Sequence, residues 1–459
     1  MFKEYRSRRA DQKSNVLPLD RAIETPVPVQ AQHETIDEDL QAHLELKNRL
    51  HGELLDRMNL SLIDKVERSE LKRQIASLVS GLVEAEGVYM RSDSFADLVD
   101  ELIHEFMGLG PLEPLLEDPT INDILVNSYD QVYVERFGLL EKSKVRFRDE
   151  RHLLRIIDKI VTKVGRRIDE SQPWVDARLE DGSRVNAIIR PCSVDGPALS
   201  IRKFARNPLT IQRLVEQESL NDQAAKLLEA LVEARLNILI SGGTGTGKTT
   251  MLNAVSSFID DTQRIVTIED AAELQLQQEH VVRLETRPAN SEGTGVITQR
   301  DLVRNALRMR PDRIIVGEVR GAECFDMLQA MNTGHEGSMT TIHANSSRDA
   351  LGRVEQMVTM LGADLPIKTI RSQIASAIHI VVQLSRLSDG SRRVVSVSEI
   401  TGMEEDTITM QDIFVYKRRG KSETGQILGE FLPTGIRPKC ADQLIASGID
   451  IDNQMFARR

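Results

Sequence analysis

A glycine-rich stretch near the middle of the chain combines residue types that bind phosphate. Residues 242–249 read Gly-Gly-Thr-Gly-Thr-Gly-Lys-Thr and fit the P-loop pattern G-x-x-x-x-G-K-[ST]. The glycines let backbone N–H groups turn toward phosphate oxygens without obstruction by a Cβ. Lys248 supplies a positive charge to the outer phosphates, and the Thr249 hydroxyl can hold Mg²⁺. The predicted nucleotide-binding residues are Gly242, Gly243, Thr244, Gly245, Thr246, Gly247, Lys248, Thr249 and Thr250.

A carboxylate follows an apolar strand downstream of this loop. Residues 313–318 read Arg-Ile-Ile-Val-Gly-Glu, and the carboxyl ends of strands are where doubly wound sheets bind their ligands. We therefore predict that Glu318 orients or deprotonates the attacking water. The alternative is a solvent-facing glutamate after a strand.

Gly317 stands where P-loop enzymes commonly carry an aspartate that supports Mg²⁺. The missing carboxylate must then come from the segment that follows another predicted strand, which contains Glu269, Asp270 and Glu273. We assign Glu269 to catalysis and Asp270 and Glu273 to Mg²⁺, partly through water, because Mg²⁺ keeps several water ligands. An acidic helix cap at Asp270 is the alternative.

Two histidines bracket a predicted strand within residues 333–345. A metal site is disfavoured because no cysteine lies nearby and the spacing is not i, i+4 on a helix. His335 and His343 are predicted phosphate sensors, and His343 is the better-suited hydrogen-bond donor toward a γ-phosphate. A structural role for these histidines stays equally open.

Phosphoryl transfer also needs an arginine, which contributes on the order of 10³–10⁵ in rate. The candidates are Arg184, Arg190, Arg202, Arg310 and Arg320. Surface ion pairs are the alternative for each of them, and spacing alone does not choose among them.

Composition limits the partners and the compartment. The net charge of −11 disfavours a polyanion, so no nucleic-acid partner is expected. The cysteines, Cys192, Cys324 and Cys440, are far apart, which indicates neither a disulfide framework nor a zinc site and fits a reducing cytoplasm. The N-terminus lacks the apolar segment of a signal peptide, and no run of about 18 apolar residues occurs. The chain is therefore predicted to be cytoplasmic and to meet a membrane only by docking.

The pattern along the chain predicts five parts. Residues 1–35 are polar and are predicted to be a disordered tail. Residues 36–110 contain three amphipathic helices, which predict a helical bundle, with Ser94 and Asp97 as a capping pair for the third. The remaining parts are an α+β domain (111–205), a linker (206–222) and an α/β domain with a parallel sheet and a C-terminal appendage of hairpins and a closing helix (223–459).

Short apolar runs mark the predicted strands of these domains. The α+β domain is predicted to include a strand at Val145–Phe147 and a hairpin at Asp181-Gly182. The strands predicted for the parallel sheet are Asn237–Ser241, Arg264–Ile268, Val281–Leu284, Arg313–Val316, Met339–Ile342 and Ile378–Leu384.

Four segments, taken in order, resemble the Walker A, Asp-box, Walker B and His-box motifs of the type II/type IV secretion ATPases. They are residues 242–250, 267–270, 310–320 and 334–345. Residues 107–127 are similar to the branch that powers tight-adherence (Flp-type) pilus assembly, the CpaF-like ATPases. The type II secretion branch typically carries a tetracysteine zinc subdomain, which this chain lacks, and this difference favours the pilus branch.

The resemblance implies an α/β, RecA-like P-loop ATPase domain that binds ATP and Mg²⁺ behind a mobile N-terminal domain. It also implies a homo-hexamer at the cytoplasmic face of an inner-membrane pilus platform protein. Arginines of the N-terminal domain would complete the ATP site, and Arg184, Arg190 and Arg202 lie where the family places them. The leading hypothesis is a motor that assembles a pilus, with retraction left open.

Two other functions compete with this hypothesis. A nucleic-acid-translocating motor is disfavoured by the acidic balance and the single tryptophan. A non-enzymatic nucleotide switch that docks partners through the helical bundle is the other alternative, and the presence of Glu318 argues against it.

Overall fold

A computed structural model of the chain describes residues 38–57, 67–85, 87–204, 209–289, 294–362 and 365–458. The predicted tail, residues 1–35, lies outside these ranges. No helix in the described part of the chain is long and apolar enough to cross a lipid bilayer.

Amphipathic helices open the described part of the chain. They are α1 (Glu38–Arg57), α2 (Arg68–Ala85) and α3 (Ser92–Met107). Their apolar stripes meet in one buried cluster that includes Leu54, Ile75 and Leu102. The predicted capping pair in α3 is wrong: the helix begins at Ser92 behind an extended Arg91, so Ser94 already lies inside its first turn.

An antiparallel sheet follows a 3₁₀ turn and the short helix α4 (Glu113–Glu117). Within the described ranges its six strands run in the order β3-β2-β1-β6-β5-β4. They are β1 (Ile121–Ser128), β2 (Gln131–Arg136), β3 (Leu139–Lys142), β4 (Trp174–Arg178), β5 (Arg184–Ile188) and β6 (Ala198–Arg202). The predicted hairpin at Asp181-Gly182 is confirmed, since β4 and β5 pair in antiparallel fashion around it and Gly182 has a φ of +90°.

One helix covers one face of this sheet. In α5 (Glu150–Lys163) the side chains of Leu153, Ile157 and Val161 recur at helical spacing and are buried against the strands. Asp149 caps the helix by accepting the His152 N–H at 2.7 Å. The strand predicted at Val145–Phe147 is wrong; the strand that exists instead is β3, whose exposed side chains show no alternation.

A larger sheet follows α6 (Ile211–Glu216) and α7 (Asp222–Glu233). Helix α6 lies inside the segment predicted as a linker, and its Ile211 and Leu214 join the core beneath the sheet. The described strands number nine, in the order β15-β14-β13-β12-β7-β11-β10-β8-β9. The parallel strands are β7 (Ile238–Gly242), β8 (Ile265–Glu269), β9 (Val281–Glu285), β10 (Arg313–Val319), β11 (Met339–Ile342) and β12 (Ile380–Arg386).

Helices pack on both faces of the parallel strands, as their apolar character predicts. They include α8 (Lys248–Ser256), α9 (Gln299–Ala306), α10 (Glu323–Asn332), α11 (Ser347–Thr359) and α12 (Ile367–Ala377). All the strands predicted for this sheet are confirmed, with their ends shifted by a few residues.

The predicted appendage of hairpins is confirmed, but it continues the same sheet. Strands β13 (Arg392–Glu404), β14 (Thr407–Lys421) and β15 (Ile427–Pro433) extend it in antiparallel fashion, and helix α13 (Cys440–Ala446) follows. The turn between β12 and β13 brings Arg386 and Arg392 beside the glycine-rich loop.

Candidate active site

The glycine-rich loop joins β7 to α8 in a tight curl. Gly245 and Gly247 have φ values of +68° and +93°, a backbone region that side-chain-bearing residues rarely adopt. A Cβ at Gly242 would lie 2.5 Å from Thr246 Oγ1, a hydroxyl that donates to the Gly243 carbonyl at 2.9 Å. Gly242, Gly245 and Gly247 are therefore required by the geometry of the loop itself.

Lys248 reaches back across this curl from the first turn of α8. Its Nζ donates to the Gly243 carbonyl at 3.0 Å and lies 3.8 Å from Glu318 Oε1. Burial lowers the pKa of Lys248, and the charge of Glu318 opposes that shift. The lysine and the glutamate predicted from sequence thus meet at the carboxyl edge of the sheet.

Arg320 links two of the predicted carboxylates. Its Nε donates to Glu318 Oε2 at 2.8 Å, Nη2 makes a second bond to the same oxygen, and Nη1 lies 3.3 Å from Asp270 Oδ2. Glu323 Oε1 fixes the backbone beneath by accepting the N–H groups of Arg320 and Gly321 at 2.6 and 2.8 Å. Burial raises the pKa of Asp270, although the charge of Arg320 opposes the shift.

Glu269 fills the space above Gly317. A Cβ at Gly317 would lie only 2.8 Å from Glu269 Cγ, so a side chain there would force Glu269 to shift. Glu269 Oε2 accepts the N–H groups of Glu273 and Leu274 at 2.7 and 2.9 Å, and Oε1 has no hydrogen-bond partner among the described residues. Burial raises the pKa of Glu269 to about 7.

The carboxylate of Glu273 is engaged by an arginine of the six-stranded sheet. Arg184 Nη1 donates to Glu273 Oε1 at 2.7 Å. Across the described residues, no group of three or more His, Cys, Asp or Glu side chains is arranged to hold a metal ion. Of the predicted metal residues, Thr249 lies half-buried in the first turn of α8 and Asp270 lies beside Arg320.

The structure separates the predicted arginines. Arg184 and Arg202 are directly opposite each other on β5 and β6, and Arg202 lies near enough to Lys248 for its charge to lower the pKa of that lysine. Arg190 lies elsewhere, where it pairs with Glu150 at 3.4 Å. The structure therefore brings Arg184 and Arg202, but not Arg190, to the carboxyl edge of the large sheet.

The two predicted histidines lie at opposite edges of the sheet. His343 follows β11, whose last residue, Ile342, is paired with Ser241 of β7, so it lies on the side of the glycine-rich loop. Its ring has no hydrogen-bond partner among the residues the structure describes. His335 precedes β11 and donates to the Pro311 carbonyl at 3.1 Å. A phosphate-sensing role for His335 in its own subunit does not fit this placement.

Two parts of the site carry no assignment from the sequence. Arg320 was one candidate among several arginines, and only the fold shows that it bridges Glu318 and Asp270. Arg386 and Arg392 both lie beside the loop. A Cβ at Gly245 would lie 3.7 Å from Arg386 Nη1, and a Cβ at Gly247 would lie 3.8 Å from Arg392 Cδ. No sequence signal points to these last two, because they follow the loop by more than a hundred residues.

Comparison with known proteins gives the family. Residues 105–428 match the family model for Type II/IV secretion system proteins. A Mycobacterium tuberculosis protein whose name assigns it a proposed role in conjugal transfer is 39% identical over 335 residues, which cover 72% of this chain and 94% of that protein. The type IV secretion system protein VirB11 of Brucella suis is 32% identical over 318 residues, which cover 63% and 88%. A crystal structure of the pilus retraction motor PilT with bound ADP has a TM-score of 0.47 and 23% identity, over 63% of this chain and 81% of that one.

A P-loop at the carboxyl edge of a parallel sheet defines the class of α/β proteins built to bind phosphate. The family model covers well over half of this chain, and the mycobacterial relative exceeds 30% identity over most of it. The chain belongs to the Type II/IV secretion system protein family.

Proposed function

We propose that the protein is an ATPase that hydrolyses ATP at the P-loop and uses the energy to move its α+β domain. The observation that carries this proposal is the approach of Lys248 Nζ and Glu318 Oε1 to 3.8 Å beside the curled loop. Arg202 lies close to the same lysine from the six-stranded sheet. Cations around an anion-binding loop favour a polyphosphate as the ligand.

Each residue of the site has its own role in phosphoryl transfer. Loop N–H groups and Lys248 bind the phosphates, which replace the Gly243 carbonyl as the acceptor for Nζ. Glu318 orients the attacking water and receives its proton, with Arg320 holding the carboxylate in place. Arg202 neutralises charge that develops on the transferred group, and His343 donates to the γ-phosphate.

Mg²⁺ supplies charge neutralisation on the phosphates when it is bound with ATP. The Thr249 hydroxyl and the Asp270 carboxylate are the residues that would hold it, with Asp270 acting through water. Glu269 Oε1, which lacks a partner among the described residues, is available to a water at the same edge. In the conformation described here Glu273 does not belong to this metal set, because Arg184 engages its carboxylate.

We further propose that the chain is a CpaF-like motor for a tight-adherence pilus. It would act as a homo-hexamer at the cytoplasmic face of the inner membrane, docked on a pilus platform protein, with no nucleic-acid partner. The support is the resemblance of residues 107–127 to that branch and the family membership of residues 105–428. The type IV secretion system protein VirB11 is a relative in keeping with this proposal.

Replacement of Glu318 by glutamine tests the proposal that the protein hydrolyses ATP with Glu318 as the general base. We expect Glu318→Gln to bind ATP with wild-type affinity and to release phosphate at least about 100-fold more slowly, the scale of a lost general base. The control is Glu336→Gln, because Glu336 is an exposed glutamate in the segment that contains His335. Wild-type turnover by Glu318→Gln would remove Glu318 from this role, and tight binding without any turnover by the wild type would favour the nucleotide switch.

A further inference from the structure

A row of charged side chains crosses the six-stranded sheet. Strand register places Arg178 opposite Arg184, Arg184 opposite Arg202, Arg202 opposite Asp123 and Asp123 opposite Glu135. Residues directly opposite each other in neighbouring strands present their side chains on the same face. We call these five residues the charged row. Adjacent arginines repel each other, so the row needs counter-charges from outside the sheet.

The nine-stranded sheet and its loops supply those counter-charges. Three members of the charged row pair with oppositely charged residues of that part of the chain. The pairs are Arg178–Glu285 at 3.2 Å, Arg184–Glu273 at 2.7 Å and Glu135–Arg392 at 3.4 Å. Each pair is partly exposed, so salt screens it.

The charged row runs in the same order as the strands it meets. Glu285 ends β9, Glu273 follows β8, Lys248 follows β7 and Arg392 begins β13, which is their order across the large sheet. The row therefore lies along the carboxyl edge of that sheet. At the P-loop the row presents Arg202, whose ion pair, at 3.0 Å, is with its own neighbour Asp123.

We propose that Glu273 is a positioning residue that competes with the phosphates of ATP for Arg184. This inference rests on the proposed function, because it needs ATP at the P-loop. Phosphates between Lys248 and Arg202 would lie next to Arg184, which is directly opposite Arg202. A guanidinium binds phosphate and carboxylate through the same donors, so the two acceptors exclude each other at Arg184.

The exchange couples the nucleotide to the domain contact. When Arg184 turns to the phosphates, the central pair of the domain contact is lost while the pairs made by Arg178 and Glu135 remain at either side. The six-stranded sheet can then pivot about these outer pairs, because each partly exposed pair is individually weak. By competing for Arg184, Glu273 lowers the affinity for ATP and so determines the ATP concentration at which this motion begins.

Binding of a non-hydrolysable fluorescent ATP analogue with Mg²⁺ to the full-length chain tests the inference. We expect Glu273→Gln to bind the analogue about two- to fivefold more tightly at low salt, which is the scale of one partly exposed ion pair. The gain should vanish at high salt and in the Arg184→Gln background, and KM for ATP should fall while kcat stays unchanged. Glu150→Gln is the matched control, because it breaks the Arg190–Glu150 pair away from the loop and should leave binding unchanged.

The outcomes separate this inference from the proposed function. Weaker binding by Glu273→Gln would make Glu273 a ligand of Mg²⁺ or of its waters and would overturn the competition. A gain that persists in the Arg184→Gln background would overturn it as well, because Glu273 would then act without Arg184. Absence of binding by the wild-type chain would overturn the proposed function, and the exchange with it.

Discussion

Gly317 shows how a single residue determines which carboxylates serve the site. An aspartate is common at this position in P-loop enzymes, yet here a side chain would collide with Glu269 from the neighbouring strand. Glu269 is held over the glycine by two backbone N–H groups. The acidic side chain at this edge of the sheet therefore comes from the end of β8 and not from position 317 of β10.

Gly317→Ala tests this packing. The new Cβ would lie 2.8 Å from Glu269 Cγ, so we expect the free energy of unfolding to fall by about 1–3 kcal/mol, the cost of overpacking a filled site. Gly352→Ala is the control, since a Cβ there meets nothing within 4 Å inside α11 and should stabilise the helix by about 0.5–1 kcal/mol. Urea unfolding measures both, and equal stability of Gly317→Ala and wild type would contradict the packing account.

At the scale of elements, a buried ion cluster fixes the N-terminal helices to the six-stranded sheet. Glu105 of α3 lies 2.9 Å from His152 Nε2 of α5 and 3.4 Å from Lys47 Nζ of α1. Burial alone would raise the pKa of Glu105, but the hydrogen bond from His152 and the charges of His152 and Lys47 lower it to about 2. The cluster ties three elements together at one carboxylate.

The lowered pKa predicts a pH dependence of stability. Because the folded-state pKa lies below the usual 4.5, the contribution of Glu105 is present above pH 4.5 and is lost as pH falls toward 2. We expect the stability difference between wild type and Glu105→Gln to be constant between pH 5 and pH 6 and to shrink by about 2 kcal/mol by pH 3. Unfolding curves of both proteins from pH 6 to pH 3 measure it, and a difference that does not change with pH would exclude this role.

Elements with a strong local signal were predictable from the sequence. The Val/Ile-rich runs gave every strand of the parallel sheet, and the spacing of Leu153, Ile157 and Val161 gave α5. Strand β3 was missed because its exposed residues carry no alternation. The loop, Glu318 and Glu269 were found because they follow such runs directly.

Contacts between residues of distant strands could not be predicted from local sequence patterns. Nothing near Glu273 in the sequence indicates that it meets Arg184, and nothing near Arg190 indicates that it turns to Glu150 instead. His335 and His343 are eight positions apart, but the strand between them carries them to opposite edges of the sheet. Register and sheet order decide these contacts, and both depend on tertiary packing.

At the scale of the whole molecule, the candidate site is divided between two sheets. The large sheet supplies the loop, Lys248 and Glu318, and the six-stranded sheet supplies Arg184 and Arg202. The partly exposed ion pairs of the charged row join the two parts, so their contact is weak enough to be altered by a ligand. Under the proposed function, this division would allow ATP hydrolysis at the loop to move one part of the chain against the other.

The most direct test of this composite site is the rate of phosphate release from Mg-ATP by Arg202→Ala beside Arg190→Ala. We expect Arg202→Ala to lose at least about 10³-fold in rate, as when an arginine that stabilises the transferring phosphoryl group is removed. Its ATP affinity should stay within about tenfold of wild type, since Lys248 and the loop are intact. Arg190→Ala, which breaks only the pair with Glu150, should turn over like wild type. Wild-type turnover by Arg202→Ala, or loss of turnover in Arg190→Ala instead, would contradict the account.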